Sequence, residues 1–213
     1  MTKIEKRASL EGVEVRAVAD GQRMLAGYAA VFDSPADIGG WFIEKISQGA
    51  FSDAVNADVR ALYDHKSAYV LGRTTAKTLR LSEDSRGLRF EIDLPDTQTG
   101  RDVATSVERG DISGMSFNFR AIKETWDESV NPPVRTLLKL EIDEISVVAF
   151  PAYADTEVGL RALQEWRTAN PPEEVEPAPE ITNPAATPAT RKAANTRARL
   201  SKLLDIRVRK HGN

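Results

Sequence analysis

Two serines, a histidine and a glutamate are the side chains of this 213-residue sequence that could form a proton relay around a nucleophile. The serines lie three positions apart in "RGDISGMSFNF", residues 109–119, as Ser113 and Ser116. On a strand, an odd spacing sends two side chains to opposite faces. Ile112, Gly114, Ser116 and Asn118 then share one face, and Ser113, Met115, Phe117 and Phe119 the other. Ser113 aligns with the core-forming aromatics. Ser116 lies beside Gly114 and Asn118, where little side-chain bulk would keep a second polypeptide away. Serine is equally at home on the solvent face of a strand, so either residue needs a base before it can be read as a nucleophile.

His65 is the base that this sequence offers, because the other histidine, His211, sits in a basic C-terminal stretch. A neutral imidazole is the usual acceptor of a serine proton near neutral pH. The run "DVRALYDH" reads as a strand with His65 at its end, just before "KSAYVLGR". A third group should hold the imidazole in one tautomer and stabilise its protonated form. In "LLKLEIDEISVV", strict alternation puts Glu144 in phase with Leu138, Leu140, Ile142 and Val148, so an acid interrupts an apolar face. A carboxylate there costs several kcal/mol unless it is paired. Glu144 is thus the acid candidate. A purely structural ion pair with Arg60 or Arg73 is the competing reading.

Composition narrows the chemistry further. The absence of cysteine excludes disulfides, thiolate metal sites and cysteine nucleophiles, and two histidines cannot make a multi-histidine metal centre. No calcium-loop spacing is present, and neither a metal nor a cofactor is expected. A net charge of −3 argues against a direct nucleic-acid surface. No apolar window approaches the roughly 20 residues that span a bilayer, and the start "MTKIEKRASLEG" lacks a signal-peptide core. The expectation is a soluble intracellular protein.

The elements that must position these groups are mostly β. "VEVRAV" and "MLAGYAAVFD" flank the turn signal "ADGQ" and predict a hairpin. "TLRLSEDSRGLRFEIDLP" is the strongest hairpin pattern, with leucines alternating up to a polar turn and Leu88, Phe90, Ile92 and Leu94 alternating after it. Phe51 to Val55 reads as one or two helical turns. A helix over about 97–109 starts at an Asp96 or Thr97 cap and stops at Gly110. "KETWDESVNPPV" reads as a loop, "RTLLKLEIDEISVVAF" as a long strand, and 155–167 as a short helix.

Three regions are expected: a globular domain over 1–167, a proline-rich disordered linker over 168–190, and a basic helical tail over 191–213. Between residues 170 and 190, six of twenty-one residues are proline, a composition that stays extended. The tail clusters Leu200, Leu203, Leu204 and Ile206 among Lys and Arg, and would either dock on a partner or remain a solvated helix.

Three segments taken in order, "YDHKSAYVLGRT", "VERGDISGMSFNF" and "EIDEISVVAFPAYADTEV", resemble the signature blocks of the tailed-phage prohead serine proteases. The resemblance covers roughly residues 10 to 160. It implies an α+β, mainly β fold: a small closed or partly open β-barrel surrounded by a few helices, distantly similar to the herpesvirus assemblins. It further implies a capsid-maturation serine endopeptidase acting through an acyl-enzyme in the host cytoplasm, inside the procapsid. The implied partners are the major capsid protein with its scaffolding segment, the scaffold, and the protease itself through self-cleavage. A homodimer is compatible with the resemblance, and no membrane or direct nucleic-acid partner is implied. Carried onto this sequence, Ser116 matches the nucleophile, His65 the base and Glu144 the third member. Assemblins use a second histidine in that last role, and this chain has none there. The oxyanion-hole donors are not assigned. The tail, by the same resemblance, would be a removable segment that helps package the enzyme. A non-enzymatic assembly module on the same fold is the alternative.

Overall fold

A computed structural model describes residues 4–9, 13–17, 23–150 and 156–171. The expected linker and basic tail lie outside the described residues, apart from the first few positions of the linker. The chain divides into units Met1–Asn170 and Pro171–Asn213, and all the elements below belong to the first. In chain order they are β1 (Glu5–Ser9), β2 (Glu14–Ala17), β3 (Arg23–Val31), β4 (Ala36–Ile38), β5 (Phe42–Ile46), a single 3-10 turn (Ala54–Asn56), β6 (Arg60–Tyr63), β7 (Lys66–Arg73), β8 (Leu79–Glu83), β9 (Gly87–Asp93), α1 (Gln98–Glu108), β10 (Gly114–Asp127), β11 (Val134–Val148) and α2 (Thr156–Ala169). Among the described residues the fold is mainly β with two helices, as the patterning predicts.

The two predicted hairpins form, β2 with β3 and β8 with β9, and β3 joins β9 to make a four-stranded sheet in the order β2-β3-β9-β8. A seven-stranded sheet runs β1-β10-β11-β5-β4, with β6 also on β11 and β7 on β6. Neither sheet closes on itself, so the closed form of the expected barrel is not what the described strands make. The large sheet stays open because β1 at one edge does not pair with β4 or β7 at the other, and β11, at 15 residues, divides its far side between two short partners. Its first part, Val134–Leu137, runs parallel to Ile43–Ile46, and its last part, Glu144–Val147, runs parallel to Arg60–Tyr63.

The apolar alternation of both sheets meets in one core that includes Leu25, Phe90, Ile92, Met115, Phe117, Phe119, Ile142, Ile145 and Val147. Phe117 packs its ring against Phe119 at 5.5 Å and edge-on against Phe51 at 6.1 Å. Burying a phenylalanine of this kind is worth about 1.5–3 kcal/mol, so β10 is held from its core side. Helix α1 covers part of this core with Val103, Ala104 and Val107. Its cap is the predicted Thr97, whose hydroxyl accepts the Gly100 N–H at 3.2 Å, and Gly110 takes a left-handed φ of 79° just beyond its end.

Two expectations are corrected. Residues Lys123–Asp127, read as loop, extend β10, because Trp126 packs on Phe42 at 4.8 Å and on Trp166 at 5.8 Å while Glu124 pairs with Arg135. Register shifts between Ala121 and Glu124 erase the alternation that would have revealed this stretch. Ser113 does not sit among the aromatics either. The strand begins at Gly114, and Ser113 is exposed ahead of it.

Candidate active site

The geometry starts from a β-bulge. Asn118 is paired with Glu144 and Phe119 with Ile142, so Asp143 is one residue too many for the ladder. Paired residues share a face, and an extra residue reverses the phase of everything after it. Ile142, Ile145 and Val147 consequently all face the core with Phe117 and Phe119. Glu144 and Ser146 turn to the opposite face, where they meet Asn118 and Ser116. The sequence reading that put Glu144 in phase with Ile142 is therefore wrong. The carboxylate is not an intruder in an apolar face but part of a polar one. The faces assigned to Ser116, Gly114 and Asn118 agree with the register.

His65 reaches this face from a tight turn. Tyr63 pairs with Lys66, which leaves Asp64 and His65 as the two central residues of the β6–β7 hairpin, at φ of 53° and 56°. Two positive φ values define the hairpin turn whose twist suits its strands, although glycine or asparagine is its usual occupant. Asp and His tolerate this region better than most side chains, but each such residue costs of order 1–3 kcal/mol. Two hydrogen bonds to β11 offset that cost. Asp64 N–H donates to the Val147 carbonyl at 3.0 Å, and His65 N–H donates to Ser146 Oγ at 3.2 Å.

The side chains then fall into a partial relay. His65 Nδ1 lies 2.5 Å from Glu144 Oε1, and the Ser146 hydroxyl donates to Glu144 Oε2 at 2.5 Å. The hydroxyl–carboxylate distance is that of a charge-assisted bond. In a neutral imidazole with Nδ1–H directed at the carboxylate, Nε2 is the atom with the lone pair, and that atom is buried without a hydrogen-bond partner. Ser116 is fully buried, directly opposite Ser146 in the register, and its hydroxyl donates to the Arg7 carbonyl of β1 at 2.9 Å. The structure thus joins His65 to Glu144 and places Ser116 on the same face one strand away. It does not bond Ser116 to His65. Asn118, also on this face, has its Oδ1 buried and unpartnered.

The competing ion pair for Glu144 is not made. Arg73 forms a two-pronged pair with Asp58, at 2.7 and 2.6 Å, and Arg60 lies 3.5 Å from the same carboxylate. Arg73 holds Asp58 at about 2, below its ordinary 3.8, first through their hydrogen bond. The sequence reading missed Ser146, although its spacing of two from Glu144 placed it on the same face wherever Glu144 pointed.

A second polar cluster fixes the strand that Ser116 touches. Arg7 of β1 bonds Glu44 and Glu5, and Arg135 of β11 bonds Glu5, Glu44 and Glu124. Glu5, Arg7, Glu44 and Arg135 are all buried. Burial alone would raise the Glu5 carboxyl, but hydrogen bonding and charge from Arg135, and then from Arg7, outweigh it and hold the group below its ordinary value. Ion pairs therefore tie β1 to β5 and β11, while its own ladder from Glu5–Phe119 to Ser9–Met115 holds it to β10.

A buried serine and a histidine bonded to a carboxylate on a mainly β scaffold are the groups of a candidate serine hydrolase site. Residues 11–169 match the caudovirus prohead serine protease family, and the chain belongs to that family. It is accordingly a serine peptidase of phage capsid maturation. No curated protein and no solved structure matches it. Among the described residues, no helix is long and apolar enough to cross a membrane.

Proposed function

We propose that the protein is the endopeptidase that cuts the scaffold, or the scaffolding segment of the major capsid protein, and itself, inside the procapsid, with Ser116 as nucleophile, His65 as general base and Glu144 as the acid that orients it. The observation that carries this reading is the 2.5 Å contact of His65 Nδ1 with Glu144, which leaves Nε2 buried, unpartnered and ready to accept a proton. Family membership of residues 11–169 supports the same assignment. Ser116 attacks the scissile carbonyl while His65 takes its proton, and His65 then protonates the leaving amine; water repeats the sequence on the acyl-enzyme. For the first step the Ser116 hydroxyl must exchange the Arg7 carbonyl for Nε2, and the chain that buries it must give a substrate access. The described arrangement is in this reading a resting form. The likeness to assemblin folds and a homodimeric active form belong to the same proposal.

A non-enzymatic assembly module is favoured by one observation, the complete burial of Ser116. Coexpression with the cognate major capsid protein separates the two readings. Mass spectrometry should find defined fragments with the wild type and with Ser113→Ala, and none with Ser116→Ala. Intact capsid protein in every case would leave the binding module as the answer, and loss of cutting only with Ser113→Ala would transfer the nucleophile to that residue.

A further inference from the structure

Ser146 takes no part in the reaction just described, yet its single hydroxyl serves two of the groups that do. It is fully buried, donates to Glu144 Oε2 at 2.5 Å and accepts the His65 main-chain N–H at 3.2 Å. A hydroxyl has one proton, and here it is committed to the carboxylate. Ser146 is thus placed as a link between the acid and the histidine turn, although it is as buried as Ser116 and faces it across the ladder.

A glutamate side chain has a broad torsional profile about its last bond, so a carboxylate held at one oxygen alone can rock. Oε1 faces His65 and Oε2 faces Ser146, so both ends of the Glu144 carboxylate are held. The histidine is held twice as well. Its ring meets Oε1, and its main chain, in the left-handed conformation at φ 56°, is tied down through the bond to Ser146 Oγ. One side chain therefore fixes the acid and the backbone that carries the base.

We propose that Ser146 is a positioning residue of the hydrolytic centre: its hydroxyl locks the Glu144 carboxylate and the His65 turn together, so that Nδ1–H stays on Oε1 and Nε2 stays free for the nucleophile. The role in catalysis rests on the assignment of Ser116, His65 and Glu144 made above. The lock itself is a statement about His65 and Glu144 that can be read without any substrate.

The test uses the full chain labelled with 15N-histidine. A short Nδ1–H bond to a carboxylate gives a far-downfield proton resonance, assigned to His65 by its persistence in His211→Gln and its loss in His65→Ala. Ser146→Ala should move that resonance upfield or broaden it away, Ser146→Thr should keep it, and Ser116→Ala should leave it in place. With a peptide spanning a cut mapped in the coexpression experiment, Ser146→Ala should lower kcat by about ten- to hundredfold, the consequence of losing one hydrogen bond to a charged group, with KM little changed. Ser146→Thr should recover most of that loss. A resonance unmoved by Ser146→Ala overturns the proposal whatever the rate does, and so does an unchanged kcat. A resonance that follows Ser146 in a wild-type protein that cuts nothing upholds the lock and refutes the hydrolytic reading.

Discussion

Replacing Arg135 with methionine should destabilise the domain more than any exposed substitution, and the size of the effect follows from the bonding of one guanidinium. Arg135 is 1% exposed, and all five of its N–H donors are used: Nε and one Nη2 proton on Glu124, the other Nη2 proton and one Nη1 proton on Glu5, the remaining Nη1 proton on Glu44. Methionine fills similar volume but leaves Glu5 and Glu44 buried with Arg7 as their remaining cation. Breaking a buried ion cluster by removing one partner costs about 3–5 kcal/mol. For a domain of this size, each kcal/mol is worth about 2–4 °C, so Tm should fall by about 6–20 °C. Urea unfolding followed by tryptophan fluorescence is a suitable assay, since Arg135 lies over the Trp126 ring at 5.6 Å. The loss should also depend on pH. Glu5 is depressed below its ordinary 4.5 in the folded protein, so its contribution is complete above that value and disappears as pH falls through the folded value. The gap between wild type and Arg135→Met should therefore be widest near neutrality and narrow through the carboxylate range. A loss under about 1 kcal/mol at pH 7, or a gap that widens in acid, would refute the claim that this cluster ties β1 to β5 and β11.

Glu144→Gln retains shape but removes the charge facing Nδ1, and should lower kcat by on the order of 10³–10⁴ without unfolding the protein; activity within tenfold of wild type would remove Glu144 from the relay. Gly100→Ala should destabilise although alanine is the better helix former by about 1 kcal/mol, because its Cβ would come within 2.1 Å of the Pro95 carbonyl oxygen; a raised Tm would show that the chain entering α1 can yield. Thr97→Ala at the start of the same helix should cost about 1 kcal/mol in urea unfolding, through the lost bond to the Gly100 N–H.

Much of the scaffold is readable from sequence because it follows local rules. Leucine alternation around "SEDSRG" gives β8 and β9, and Thr97 with Gly110 marks both ends of α1. The site is only partly readable. Ser116 and its face follow from the period of β10, but Glu144 takes its direction from an unpaired Asp143 that no alternation reveals. Asp64 and His65 adopt a turn that sequence rules associate with asparagine and glycine, so they read as the end of a strand. Glu5 and Arg7 look like the solvated side of a short strand, because their partners outside that strand are 37 and 130 residues away.

The unpaired Asp143, held outside the ladder by Arg120 at 2.9 Å, makes the site a matter of counting. On either side of it the pleat runs with opposite parity. A single codon gained or lost between Glu144 and Val147 would exchange hydrocarbon for carboxylate and hydroxyl across the sheet, with every chemical group still encoded. Removal of Asp143 alone would preserve that parity while straightening the strand. Length variation among relatives should therefore be tolerated at this one position and purged from the four that follow.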